Sequence, residues 1–166
     1  AGSYAYVAHI WEGGNLWYGR VEVIDIRDPA QPQRVGGCDT SGFAYGVAVA
    51  GNYAYVADGD AGLEIVDIRD AAHPLRVGAY DTGLMARGVA VAGNYAYVAE
   101  EGRDVSNPPG KLEVIDVSDP AKPQRVFAYD TVSRAEGVAV GVNYAFVAEY
   151  YGGLHVIDIR DPAHPL

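Results

Sequence analysis

Cysteine is almost missing from this chain: Cys38 is the only one among 166 residues. A lone thiol excludes an internal disulfide framework and a cysteine-based zinc site. Lysine is nearly as scarce, with only Lys111 and Lys122, and acidic residues outnumber basic ones 22 to 12, for a net charge of −10. That balance lacks the basic footprint a nucleic acid or an anionic membrane surface requires. Long apolar runs are missing too. No segment approaches the roughly 20 residues of a membrane-spanning helix, so no membrane insertion is expected. No basic n-region precedes Ala1, which opens directly into strand-like sequence, as expected of a processed or cut N-terminus. What remains, 49% hydrophobic and 20% charged, has the composition of a folded globular domain.

What is present is a repeat. Tyr4-Ala5-Tyr6-Val7-Ala8 returns at Tyr53, at Tyr95 and, as Tyr-Ala-Phe-Val-Ala, at Tyr144, at spacings of 49, 42 and 49 residues. A second segment keeps step: VEVID from Val21, LEIVD from Leu63, LEVID from Leu112 and LHVID from Leu154. A turn such as Asp28-Pro29-Ala30-Gln31-Pro32 follows, then a run such as Arg76-Val77-Gly78-Ala79-Tyr80-Asp81, and the unit closes on GVAV at Gly46, Gly88 and Gly137. Tyr and β-branched residues suit a pleated surface, whereas Gly, Asn, Asp and Pro punctuate between strands. No run has the length or 3.6-residue period of a helix. Four strands per 42 to 49 residues is the period of a propeller blade.

The expected fold is therefore all-β, a β-propeller of four-stranded antiparallel blades. The strands are lettered from the axis outward: A (GVAV), B (YAYVA), C (LEIVD) and D (RVGAYD). Counted from YAYVA, the repeats span 1–49, 50–91, 92–140 and 141–166 of one propeller. The first blade lacks its A strand and the last its D strand, so the two ends cannot complete one blade together. Three arrangements are open to such a chain. It is a segment of a longer propeller, or two copies share a ring of eight blades, or it closes alone as a small four-bladed ring with two thin blades.

LEIVD and its variants, with NYAYVA-like segments ahead and D-[IV]-x-D-x-A-x-P behind, resemble the LVIVD repeat. The resemblance covers nearly the whole chain. It implies a β-propeller and, because many bacterial and archaeal members are surface-exposed, an extracellular or cell-surface location. It brings no catalytic residues and no single activity.

Strands that alternate in direction put the B–C loops and D–A connections on one rim and the A–B and C–D turns on the other. The B–C loops vary most, and variation over a constant scaffold is where binding or chemistry usually sits. The first insertion, Ile10 to Arg20, holds Trp11, Trp17 and Tyr18. Those rings suit either a cap on the core, a subunit contact, or a ligand to stack on. The third, Glu101 to Lys111, reads as a rigid exposed loop around Asn107-Pro108-Pro109-Gly110, and the fourth contributes Tyr150 and Tyr151. Directly after strand B stand His9, Asp58, Glu100 and Glu149; just before the strand A glycine stand Tyr45, Arg87 and Glu136. Carboxylates with an imidazole are ligand types for a divalent cation such as calcium or zinc. The same positions otherwise end strands in water.

His155 replaces the glutamate found at Glu22, Glu64 and Glu113, and either joins Glu149 at a site or faces solvent. His73 and His164, in the AHPL turns, read as structural, and Cys38 as a small core residue. Asp58-Gly59-Asp60 opens like a calcium loop without the further ligands. His9 and Glu12 do not complete HExxH, and no GxSxG elbow, phosphate loop or dinucleotide fingerprint occurs. Two functions follow: a non-catalytic binding or scaffold module for a protein or glycan, or for another copy of itself; or a metal-dependent hydrolase of esters, lactones or phosphoesters with Glu100, Glu149 and His155 as candidate catalytic groups.

Overall fold

The computed structural model describes residues 2–13, 16–102 and 110–165, and among them every regular element is a strand. Residues 103–109, the centre of the third insertion, lie outside the described residues. Blade 1 comprises β1 (Tyr4–Gly13), β2 (Leu16–Asp25) and β3 (Gln33–Asp39). Blade 2 is β4 (Gly46–Ala50), β5 (Tyr53–Ala57), β6 (Leu63–Asp67) and β7 (Leu75–Tyr80). Blade 3 is β8 (Met85–Ala92), β9 (Tyr95–Glu101), β10 (Lys111–Asp116) and β11 (Gln124–Asp130). Blade 4 is β12 (Ala135–Val140), β13 (Tyr144–Glu149) and β14 (Gly153–Asp158). The sheets are antiparallel meanders of three, four, four and three strands, so the outer blades lack the A and D strands expected of them. These are propeller blades.

The inner strands converge on their glycines. A Cβ on Gly46 would lie 3.5 Å from the Gly88 Cα, and one on Gly88 would lie 3.0 Å from the Gly137 Cα. Small residues at the start of strand A are therefore what lets the blades meet at the axis. Farther out, two faces of each sheet do different work. The forward face carries Tyr55, Ala57, Leu63 and Ile65 in blade 2 and Tyr97, Ala99, Leu112 and Val114 in blade 3. The rear face carries Ala54, Val56 and Val66, then Ala96, Val98 and Ile115, then Ala145, Val147 and Ile157. The forward face of each blade packs on the rear face of the next, giving three buried clusters in series.

The C–D turns repeat one device. Asp28, Asp70, Asp119 and Asp161 each accept the backbone N–H two residues on, at 2.9–3.1 Å. This Asx geometry makes the Asp-Pro and Asp-Ala starts into turns. His73 and His164 place Nδ1 3.0 Å from Asp70 and Asp161, in the structural role read from the sequence. In the A–B turns only Gly51 and Gly93 take positive φ, +57° and +58°. The adjacent Asn52 and Asn94 do not; their carbonyls instead accept the Ile68 and Val117 N–H groups. Asparagine there serves as a tie, not as a second left-handed residue.

Two expectations change. The first insertion is not a loop: β1 and β2 pair without interruption from Tyr4↔Asp25 to Gly13↔Leu16, a long hairpin carried by cross-strand pairs such as Trp11↔Tyr18. Nor does the chain close alone, because the rear face of blade 1 and the forward face of blade 4 stay open, with Val7, Phe146, Leu154 and Val156 exposed.

Gly78 marks how tightly the blades nest. A Cβ there would overlap the carbonyl oxygen of Pro120, in the C–D turn of blade 3. Backbone cannot swing aside as a side chain can. Gly78→Ala is expected to cost ~1–3 kcal/mol in denaturant titrations, whereas Gly137→Ala, with nothing within 4 Å of its Cβ, changes little.

Candidate functional site

The polar column after strand B is buried, and each member sits on a different rear face. Asp58 and Glu100 are fully buried and Glu149 nearly so. Asp58 is latched by the preceding D–A connection: Thr40 Oγ1 donates to Oδ1 and the Gly42 N–H to Oδ2, each at 2.6 Å. Glu149 is latched likewise, its Oε2 accepting the Ser133 N–H at 2.9 Å. The Asp58 and Glu149 carboxylates join one blade to the next. They neither face water nor gather, and among the described residues no three His, Cys, Asp or Glu side chains are grouped to hold a metal ion. His9 lies within β1, opposite Arg20, with Nε2 buried and 3.7 Å from Glu22 Oε1, too far for a hydrogen bond. His155, partly buried, approaches Glu149 Oε1 to 3.0 Å and lies edge-on to Tyr129.

Glu100 differs from its counterparts. Neither of its carboxylate oxygens accepts a hydrogen bond. Burial, reinforced by the nearby Glu113 and only partly offset by Thr82, Lys111 and Arg125, pushes its pKa up to about 8. Burial also raises Asp58, to about 6, against the hydrogen bonds from Thr40 and Gly42. At neutral pH Glu100 holds its proton, as a carboxyl without a charge partner must in a low-dielectric interior. Cys38 is half-buried against the core between blades 1 and 2, and burial holds its thiol above the ordinary range.

The column before strand A emerges on the rim beside the axis. Register shifts between Ala86 and Gly88, and between Ala135 and Gly137, make Arg87 and Glu136 bulge residues, released from ladder pairing. Bulges re-aim a side chain, and here they turn these residues out at the mouth of the ring. Arg87 then stacks its guanidinium 4.4 Å from the centre of the Tyr45 ring and pairs with Glu101 through Nη2. Glu101 holds a second arginine, with Arg134 Nη1 2.8 Å from Oε1. Arg134 lies over Tyr150 at 5.8 Å, and Tyr150 meets Tyr151 edge-on at 4.4 Å between centres. Tyr45, Arg87, Glu101, Arg134, Tyr150 and Tyr151 form one ladder across blades 2, 3 and 4.

Sequence reasoning named four members of that ladder and missed Glu101 and Arg134. Glu101 was hidden at the edge of an insertion, and Arg134 lies two positions farther from its glycine than the column searched. Trp11 and Tyr18 stack on each other, ring centres 5.1 Å apart, at the long hairpin, where Trp17 is 58% exposed. The rings do not cap the core. Open concavities lie instead on the opposite rim, one of about 440 Å³ bordered by Asp67, Arg69, Asp70, His73 and Leu75. Its charges are already paired with one another, Asp67 with Arg69 and Asp70 with His73.

The fold and its repeated faces define a β-propeller segment of four blades. The LVIVD repeat matches residues 1–40, 41–82, 83–131 and 133–166, one match per blade, and the chain belongs to the LVIVD-repeat family. Each of these matches holds one sheet whole, a different phase of the period from one counted at YAYVA. No curated protein matches it. Among solved structures it is similar to the crystal structure of the computationally designed Ika4 protein, with a TM-score of 0.63 and 11% identity over 94% of this chain and 92% of that one. At that identity the likeness concerns the fold.

The buried carboxyls set the pH response. Between about pH 4.5 and 8 the unfolded chain ionises Glu100 while the folded chain keeps it neutral. Unfolding then releases a proton, so stability falls as pH rises through that window. Asp58 acts in the same direction up to about pH 6. Urea titrations are expected to lose on the order of 3–5 kcal/mol across the window. Glu100→Gln should abolish the part between pH 6 and 8; an unchanged slope there would show the carboxylate to be ionised in the native state.

Proposed function

We propose that this chain is a non-catalytic binding module, exported or surface-exposed, whose variable rim takes a protein or glycan partner. The observation that carries this is the Tyr45–Arg87–Glu101–Arg134–Tyr150 ladder, held rigid by two arginines on one glutamate. Tyr, Trp and Arg are the residues that dominate binding hot spots; the rings have few rotatable bonds, and here both arginines are already held by Glu101. Tyr45, Tyr150, Tyr151 and Trp17 leave their rings exposed on the rim where the scaffold tolerates variation. A fixed aromatic array also suits stacking on sugar rings. Export accords with the surface-exposed members of the family.

The hydrolase alternative would draw on carboxylates two of which, Asp58 and Glu149, also latch one blade to the next. Asp58 and Glu149 are occupied by N–H and O–H donors, and Glu100 is sealed.

A glycan array and a displayed-peptide library supply the test. Ligands selected on the wild-type chain are expected to bind Tyr45→Ala or Tyr150→Ala at least ~10-fold more weakly, and Asp70→Ala, on the opposite rim, equally well. Turnover of an ester, lactone or phosphotriester that requires calcium or zinc and vanishes in Glu149→Gln would replace this function with the hydrolytic one.

A further inference from the structure

The two open faces repeat the two halves of the interblade contact. Inside the chain a forward face meets a rear face three times, and at each meeting the residues of both are buried. The forward face of blade 4 repeats the pattern: Phe146 opposite Val156 and Ala148 opposite Leu154, as Tyr97 stands opposite Val114 and Ala99 opposite Leu112. Yet Tyr97, Ala99, Leu112 and Val114 are at most 1% exposed, whereas Phe146, Leu154 and Val156 are 37%, 64% and 54% exposed. The rear face of blade 1 repeats the other half. Ala5 stands opposite Ile24 and Val7 opposite Glu22, as Ala54 stands opposite Val66 and Val56 opposite Glu64. Val56 is fully buried and Val7 is 44% exposed.

Charge does not oppose burying the blade 1 face. On the packed rear faces the glutamate is held by the arginine of its own strand D, Glu64 by Arg76 at 2.7 Å and Glu113 by Arg125 at 3.4 Å. Glu22 on the open face is already held in this way, by Arg34 at 2.8 Å. Its neutralising partner comes from within the blade, as at the packed junctions.

We infer that a second copy of this chain covers both faces, the rear face of its blade 1 seating on the forward face of blade 4, and the reverse at the other junction. The contact is heterologous, and two such junctions close a ring. Copy number follows from blade number. Two copies of four sheets give eight, within the four to eight blades typical of closed propellers, and three copies would exceed it. The ring leaves the ladder at the axis mouth accessible, because both junctions lie on other faces.

Sedimentation velocity on the purified chain is expected to give twice the 17.6 kDa chain mass. Val7→Glu and Val156→Lys change residues exposed in the single chain, so each variant should keep its circular dichroism while its mass halves. An equimolar mixture of the two should recover the doubled mass, because one junction is then wild type on both sides. A wild-type chain that stays monomeric at tens of micromolar would overturn the inference and assign the faces to further blades of one polypeptide. A doubled mass persisting in either single variant would overturn it as well, since the pairing would then be like with like.

Discussion

Everything in this molecule depends on one sheet face lying against the next. A sheet of three or four short strands has two apolar sides and cannot bury either by itself. The forward and rear faces solve this jointly: a tyrosine, an alanine and two branched residues on one side meet alanine and valine on the other. The small partners let the large ones enter. Where the rear face must carry a glutamate, the neighbouring strand supplies an arginine, so the charge is paired before it is buried. The latches from Thr40 to Asp58 and from Ser133 to Glu149 then hold blades 2 and 4 at their rim ends against their predecessors.

The same packing explains why one rim is constant and the other is not. On the turn-bearing rim nearly every polar group has work to do. The aspartates close Asx turns, the asparagine carbonyls tie the A–B turn to the end of strand C, and Gly36 and Gly78 admit the neighbouring turn's carbonyl. A substitution there is felt between blades. On the other rim the hairpin of blade 1 runs on from His9↔Arg20 to Gly13↔Leu16 without breaking the register below it. The aromatic insertion into blade 1, and the two tyrosines in the loop of blade 4, therefore fall where the fold does not resist them.

The blades were legible in the sequence because their period is set by a backbone requirement. Each copy must alternate Tyr-Ala-Tyr-Val-Ala to present two different faces, and each must turn at Asp and Gly. The ends were legible for the same reason, since a missing GVAV or RVGAYD segment is a missing strand. The hairpin of blade 1 was not, because Trp11 and Tyr18 extend the ladder by pairing across it, and only register reveals that. Burial of Asp58, Glu100 and Glu149 was also hidden: a carboxylate ending a strand looks solvent-bound until the preceding blade's connection is folded over it. The ladder was half visible. Tyr45, Arg87 and Glu136 align in sequence, but the release of Arg87 and Glu136 at bulges and the role of Glu101 as a common anchor belong to three dimensions.

How that ladder would hold a partner follows from its charge. Arg87 and Arg134 share Glu101, and the exposed Glu136 stands near Arg87, so two cations face two anions on one rim. Such a patch has little net field to steer an approaching ligand, even though the chain as a whole is strongly acidic. What it offers is surface: guanidinium planes already stacked on tyrosine, with rings whose outer sides remain free. Fixing the arginines before a partner arrives removes most of the conformational cost of using them. A partner proposed for this rim would therefore be held by fit to flat apolar and π surfaces more than by ion pairing, and its binding would persist at ionic strengths that dissolve a charge-steered complex.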